Sequence, residues 1–313
     1  MPSRRPLAAA VAAAAVMSPG VAMAAPWSAP QDLGAPTDYV TASGVAALPS
    51  GSAVLGWTTR SQPTGAGGLP GAISVIADPQ SNDGERGAIG IVDPGGSGRM
   101  AAGGRWSLEA GPVASAGGRA IAAVSRVVGG DDDGNRYVRL SLLRLSATGR
   151  VLGTHVLVTR AVVRSASLAA NPRGEAVVAW VQARPFIPGR RELGPHAFQE
   201  LQTRRAVSIT AAGRLGATRT LESSWANSTD YGGQVTTAVG GDGRALVAGQ
   251  AADRPVARLA AAALPDGTFG VAWSAVTASA GHLVHPVRVA LGSRDGRFAA
   301  ASTIAPSGAV GSV

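Results

Sequence analysis

Short strands of small apolar residues recur along the chain, and each is entered through a turn that ends in glycine. The copies begin at Gly51, Gly118, Gly174, Gly243 and Gly267. In every copy the sixth residue after the glycine closes the strand, and in three copies that residue is a tryptophan, namely Trp57, Trp180 and Trp273. Self-similarity of this kind predicts a repeat architecture whose units bury their faces against one another.

Stretches in which apolar and polar residues alternate lie between these copies, as in residues 137–145 and 205–209. A period of two is typical of half-buried β-strands. Gly-Arg pairs lead into further strands, and they begin at Gly104, Gly149, Gly213 and Gly296. Units of roughly 45 to 70 residues then supply three or four antiparallel strands each. We therefore expect an all-β fold, a β-propeller of about five blades with the small-residue strands nearest its axis.

The clearest copy of the repeat runs from Leu168 to Trp180 and reads LAANPRGEAVVAW. It resembles propeller-like repeats of secreted bacterial proteins, in which an Asn/Asp-x-Gly turn leads into an Ala-Val-x-Ala-Trp strand. The resemblance extends over most of residues 26–307 and implies a propeller fold and an extracellular setting, with no activity attached. Pairing of strands from the two ends of the chain is expected to close the ring.

The first residues predict export. Arg4 and Arg5 precede an apolar stretch at residues 7–17, and small residues follow it, so we interpret residues 1–25 as a cleaved signal peptide and residues 26–313 as the repeat domain. The paired arginines fit either the twin-arginine route or the basic region of a general secretory signal. No later apolar run reaches the length of about 20 residues that a transmembrane helix needs. We expect a secreted monomer with no membrane span in the mature chain.

The amino-acid composition excludes several kinds of chemistry and of binding partner. The chain has no cysteine, which excludes disulfides, thiolate catalysis and cysteine metal sites. Its net charge is +9, and all 28 basic residues are arginine, scattered without a basic run. An exported chain without a pattern of stacking aromatic residues is not expected to bind nucleic acid. The expected partner is an anionic cell-envelope polymer or a protein.

One acidic cluster offers metal ligands. Asp131, Asp133 and Asn135 present alternate side-chain oxygens of the kind that Ca²⁺ takes. The cluster lacks the downstream bidentate glutamate of a helix-loop-helix calcium site. The same residues include an Asp-Gly pair between two apolar strands, which favours a solvated hairpin turn. The turn is the preferred interpretation, Ca²⁺ is the alternative, and no other cofactor is expected.

No catalytic residue is predicted from motifs. The string Ser293-Arg294-Asp295-Gly296 differs in spacing from the Ser-x-Asp-x-Gly-x-x-Trp turn of propeller-built sialic acid hydrolases. The sequence therefore favours a non-enzymatic binding or structural module that uses the loops at residues 61–72 and 183–199. The alternative is an extracellular carbohydrate-active hydrolase with its site at the central channel. Convergence of acidic residues and arginines at the channel mouth would favour the hydrolase.

Overall fold

The structure consists almost entirely of antiparallel β-strands. It is a computed structural model that describes residues 38–61, 85–92, 98–131, 135–184, 199–227, 233–250, 256–275, 277–279, 282–284 and 286–305. The sheets follow one another along the chain as meanders of neighbouring strands. Within these residues no helix is long and apolar enough to cross a membrane.

The first sheet contains four strands in the order β1-β2-β3-β4. Its strands are β1 (Asp38–Ala47), β2 (Ala53–Ser61), β3 (Glu85–Val92) and β4 (Gly98–Gly104). Residues 87–91 of β3 are all buried, and Ile89 and Ile91 are almost completely so. These two isoleucines share one face of the strand and pack in one cluster with Leu108 and Val124 of the next sheet.

Two further sheets share one long strand. The strands of this region are β5 (Ser107–Ser115), β6 (Arg119–Gly130), β7 (Arg136–Leu145), β8 (Val151–Ala170), β9 (Ala176–Arg184), β10 (Gln199–Ile209) and β11 (Arg219–Asn227), with a 3-10 turn at Ala116–Gly118. The first part of β8 pairs with β7, and residues 162–170 pair with β9. The second sheet therefore ends, and the third begins, within β8.

The last described strands form a two-stranded hairpin and a four-stranded sheet. The hairpin contains β12 (Val235–Val239) and β13 (Ala245–Gly249). The sheet order is β14-β15-β18-β19, and a small hairpin of β16 and β17 lies between β15 and β18 in sequence. These strands are β14 (Val256–Ala263), β15 (Phe269–Ala275), β16 (Thr277–Ser279), β17 (His282–Val284), β18 (Val287–Gly292) and β19 (Ser302–Ala305).

The first strands of successive sheets pack against one another. Strand β1 contacts β5, β5 contacts β8, β8 contacts β12, and β12 contacts β14. Sheets that meet through their first strands are arranged radially, as the blades of a propeller are. The prediction of an all-β propeller is confirmed, and the count of about five blades stays a prediction. Among the described strands no hydrogen-bonded pair joins residues 38–104 to residues 256–305, and segments 26–37 and 306–313 lie outside the described residues.

The placement of the small-residue strands nearest the axis was wrong. Trp57, Trp180 and Trp273 lie on β2, β9 and β15, each the second strand of its sheet. The strands that precede the turn glycines contact one another from sheet to sheet, whereas the second strands β2 and β9 contact mainly the first strand of the next sheet. The sequence pattern did not distinguish first strands from second strands, because the first strands are also rich in small residues, as in the DYVTASGVAA of β1.

One turn geometry recurs throughout the fold. At Gly174 the backbone N–H donates to Asn171 O at 2.9 Å, Asn171 N donates to Glu175 O at 2.9 Å, and φ is 90°. Glycine is favoured because a three-residue hairpin loop of this type ends in the left-handed region. The same two hydrogen bonds and a positive φ occur at Gly51, Gly149, Gly213, Gly243, Gly267 and Gly296.

Two predicted copies of the turn differ from this geometry. Gly118 has a φ of 71° but lies in the 3-10 turn between β5 and β6. Gly104 was predicted to begin a Gly-Arg turn that leads into a strand, and β5 does follow at Ser107. Gly104 ends β4, and Trp106 N donates to its carbonyl at 3.0 Å in the link between the first and second sheets.

The recurrent turns define two ends of the fold. All of them join a first to a second strand or a third to a fourth strand of a sheet. In a meander these connections fall at the same end, which we call the turn face. The connections between second and third strands, and those from sheet to sheet, lie at the opposite end, the loop face.

Gly174→Ala is expected to destabilise the protein by about 2 kcal/mol, because an L side chain at positive φ is strained. An added Cβ would also lie 2.6 Å from the Ala116 Cβ. Gly153→Ala in β8 is the matched control, since no atom lies within 4 Å of its added Cβ. Urea unfolding of both variants measures the difference. Equal midpoints for the two variants would contradict the turn assignment.

Candidate functional site

Two glutamates lie close together at the loop face, between the first and second sheets. Glu85 is the first residue of β3, and Glu109 lies two residues after the start of β5. Their partners Ser107, Ser125 and Arg136 come from the start of β5, the second half of β6 and the start of β7. Antiparallel pairing brings all of these strand ends together, although the residues span about fifty positions in sequence.

Glu85 is held by an ion pair and a hydroxyl group. Arg136 donates from Nη1 to Oε1 at 3.0 Å and from Nη2 to Oε2 at 2.6 Å. Ser107 Oγ donates to Oε2 at 2.5 Å. A bidentate arginine fixes the orientation of the carboxylate as well as its charge. Both side chains remain partly exposed, at 16% for Glu85 and 32% for Arg136.

Glu109 has a different environment. Its Oε1 accepts a hydrogen bond from Ser125 Oγ at 2.5 Å. Burial raises the pKa of Glu109 above its ordinary value. The hydrogen bond from Ser125 and the charge of Arg136 lower that pKa, while the charge of Glu85 raises it further. The net shift is upward, so this carboxyl keeps its proton to a higher pH than an ordinary glutamate.

Strand register fixes how near the two carboxyl groups lie. Ser107 and Ser125 are directly paired across β5 and β6. Cβ atoms of such cross-strand pairs are about 4.5–5.5 Å apart. Each serine holds one of the glutamates by a short hydrogen bond, and the charge of Glu85 acts on the pKa of Glu109, so the two carboxyl groups lie near enough to interact electrostatically.

Two of the three residues predicted as calcium ligands, Asp131 and Asn135, lie next to Arg136 at the β6–β7 connection. Asn135 Nδ2 donates to both oxygens of Asp131 at 3.1 Å, and Asn135 N donates to Asp131 Oδ1 at 2.8 Å. Tyr137 Oη donates to Asp131 Oδ2 at 3.0 Å, and the Arg160 guanidinium lies 4.8 Å from the centre of the Tyr137 ring. These contacts are those of a hairpin turn. Asp133 lies outside the described residues, so the calcium alternative stays a prediction.

A second glutamate-arginine pair lies in the third sheet. Arg164 Nη2 donates to Glu200 Oε2 at 2.5 Å, and Gln202 Nε2 donates to Glu200 Oε1 at 2.8 Å. Only 1% of the Glu200 side chain is exposed. Because this carboxylate is sealed and fully paired, we assign it a structural role and regard the partly exposed Glu85 and Glu109 as the candidate site.

The repeat residues predicted from sequence lie in turns and in the core. Trp180 is completely buried, Trp57 is buried, and Trp273 is half-buried. The contact loops were predicted at residues 61–72 and 183–199, and of these residues 62–72 and 185–198 lie outside the described residues. Within the described part of the chain, no group of three or more histidine or acidic side chains is placed to hold a metal ion.

Sequence reasoning missed Glu85, Glu109 and Arg136. None of them belongs to a motif, and the register that joins them depends on the loops between the strands. A weak signal was present, since SLEAGPVAS places a carboxyl group in an otherwise apolar first strand. Such a residue disagrees with its local pattern, which is typical of functional positions.

No family model and no curated protein matches this chain. Solved structures are similar at low identity. An α-L-arabinofuranosidase from Fusarium graminearum shares 11% identity with a TM-score of 0.40, over 85% of this chain and 66% of that one, just under two thirds of its length. An α-L-arabinanase from Penicillium chrysogenum shares 11% identity with a TM-score of 0.41, and the match covers 83% of this chain and 66% of the arabinanase. A Dyadobacter fermentans protein of unknown function shares 12% identity with a TM-score of 0.44, over 85% and 69%.

Proposed function

We propose that this chain is an exported carbohydrate-active hydrolase whose site contains Glu85 and Glu109. The observation that carries the proposal is the pair of neighbouring carboxyl groups in contrasting environments. Glu85 is paired with an arginine, whereas the pKa of Glu109 is raised by burial. Two carboxyl groups whose environments separate their proton affinities are the usual arrangement for acid-base chemistry on a glycosidic bond.

In this mechanism Glu109 is the general acid. Its proton passes to the glycosidic oxygen as the bond to the sugar ring breaks, so the leaving group departs as an alcohol. The Glu85 carboxylate, paired with Arg136, faces the positive charge that develops on the ring. Water then adds to the ring carbon, completing the hydrolysis, and the proton that it loses returns to Glu109. The hydrogen bonds from Ser107 and Ser125 hold the two carboxyl groups in position before the sugar arrives.

A binding module is the second candidate, and one observation favours it. Both oxygens of Glu85 already accept hydrogen bonds from Arg136, and Oε2 accepts another from Ser107. A carboxylate whose oxygens already accept hydrogen bonds from protein groups is less available to the reacting sugar. This favours a surface that binds a sugar without cleaving it. The two candidates differ in whether the bound glycan is shortened.

The test is a screen of neutral and acidic oligosaccharide pools, with mass spectrometry of the products. The wild type should release shorter chains from at least one pool, and Glu109→Gln should release about 10²–10⁴-fold less, the range for loss of a general acid. Glu222→Gln is the matched control, because that side chain is 53% exposed and pairs with Arg204 in the third sheet. Binding by the wild type without any shortened product would support the binding module instead.

A further inference from the structure

A groove rich in arginine lies beside the glutamate pair, on the second sheet where β6, β7 and β8 meet the link that follows β4. Its volume is about 390 Å³, and the lining residues that matter here are Arg105, Trp106, Ser125, Arg126, Arg139 and Thr154. We call it the arginine groove. Ser125 belongs to both places, because it lines the groove and its Oγ donates to Glu109. The groove and the carboxyl pair are therefore adjacent.

Two of the arginines face each other across neighbouring strands. Arg126 and Arg139 are directly paired across β6 and β7, and both are exposed. Within the described residues neither forms an ion pair with a carboxylate. Like charges directly opposite each other destabilise a sheet. The fold thus keeps two guanidinium groups side by side at a local cost, and a bound anion would remove that cost.

Trp106 provides an apolar platform in the same groove. An added Cβ at Gly87 would lie 1.9 Å from the Trp106 ring, so the indole packs directly onto β3 where no side chain intervenes. Flat aromatic surfaces of this kind pack against the apolar faces of sugar rings. The hydroxyl groups of Ser125 and Thr154 supply donors and acceptors that suit sugar hydroxyls.

We propose that the arginine groove binds an acidic sugar of a polysaccharide, and presents the neighbouring glycosidic bond to Glu85 and Glu109. The anion is a carboxylate or a sulfate ester, since either accepts paired hydrogen bonds from guanidinium groups. The groove has one aromatic side chain, Trp106, beside three arginines, which suits a single charged sugar ring. Single-stranded nucleic acid would instead require several aromatic residues on which successive bases stack. The assignment rests on the proposed function, because it names the substrate class of the same site.

The test measures binding to the full mature chain carrying Glu109→Gln, which leaves the sugar intact. Calorimetry compares a uronate oligosaccharide, a sulfated oligosaccharide and a neutral one of equal length. One acidic ligand should bind at least tenfold more tightly than the neutral ligand, with affinity that falls as salt rises. Adding Arg126→Gln and Arg139→Gln should weaken acidic binding at least tenfold. Adding Arg173→Gln, an exposed arginine of the turn face, should change nothing.

Each outcome has one meaning. Tighter binding of the sulfated or of the uronate ligand identifies the anion and supports the assignment. Equal binding of neutral and acidic ligands, unchanged binding by the Arg126/Arg139 variant, or tighter binding of a single-stranded oligonucleotide overturns it. The variant should also melt no lower than its parent, since it removes a repulsive pair. Acidic binding in the groove without cleavage by the wild type would overturn the hydrolase while leaving the groove assignment standing.

Discussion

Glu109→Gln is expected to slow hydrolysis about 10²–10⁴-fold and yet to make the protein more stable at neutral pH. The pKa of Glu109 is raised mainly by burial, so the folded protein holds this proton more tightly than the unfolded chain does. The wild type therefore loses free energy of unfolding as the pH rises from the unfolded value, about 4.3, through the raised folded value. The glutamine variant has no proton to lose there and escapes this destabilisation.

Thermal unfolding between about pH 4 and pH 8 measures this effect. The midpoint of Glu109→Gln should rise relative to the wild type across that interval, while Asp295→Asn, at an exposed carboxylate of the turn face, should track the wild type. A substitution that lowers activity and raises stability is typical of an active-site residue whose environment destabilises the folded protein. A Glu109→Gln protein that melts lower than the wild type at pH 8 would mean that the carboxylate is ionised and structural.

Trp180→Ala is expected to cost about 3–5 kcal/mol, the range for deleting a fully buried aromatic side chain. Trp180 is completely buried, and its cluster includes Ile121 and Leu140 of the second sheet together with Leu168 and Val207 of the third. The indole therefore joins two blades, and its loss leaves a cavity between them. Urea unfolding gives the change in the free energy of unfolding.

Trp273→Ala is the control for this prediction, because it occupies the same position in its repeat and is only half-buried. Its substitution should lower the free energy of unfolding clearly less than Trp180→Ala does. An equal or larger cost at Trp273 would show that the fourth and fifth copies of the repeat, rather than the interface between the second and third sheets, dominate the stability of the fold.

The fold could be predicted from local chemistry wherever one residue type was required. Gly51, Gly174, Gly243 and Gly267 stand at positive φ, where glycine is strongly preferred, so the turns were visible in the sequence. The alternating residues of β7 and β10 also identified those strands. The order of strands within a sheet was harder to predict, because first and second strands share the same small residues and differ only in their neighbours.

The candidate site depends on register, which the sequence does not display. Ser107 pairs with Ser125 only because a 3-10 turn and two register shifts adjust β5 against β6. Likewise, Arg126 faces Arg139 because β6 and β7 shift register between Val127 and Gly129. A change of one residue in either connection would move these side chains to the other face of the sheet. Motif reasoning therefore found no site where the structure brings one together.

Direct titration of the Glu109 carboxyl group by NMR, with ¹³C-labelled glutamate and Glu109→Gln for assignment, tests the account most directly. We expect Glu109 to titrate above the ordinary glutamate value of about 4.3. Its pKa should fall in Glu85→Gln, because that variant removes a like charge and leaves Arg136 to act on Glu109 alone. Titration of Glu109 at or below the ordinary value, with no change in Glu85→Gln, would contradict the proposed acid-base pair.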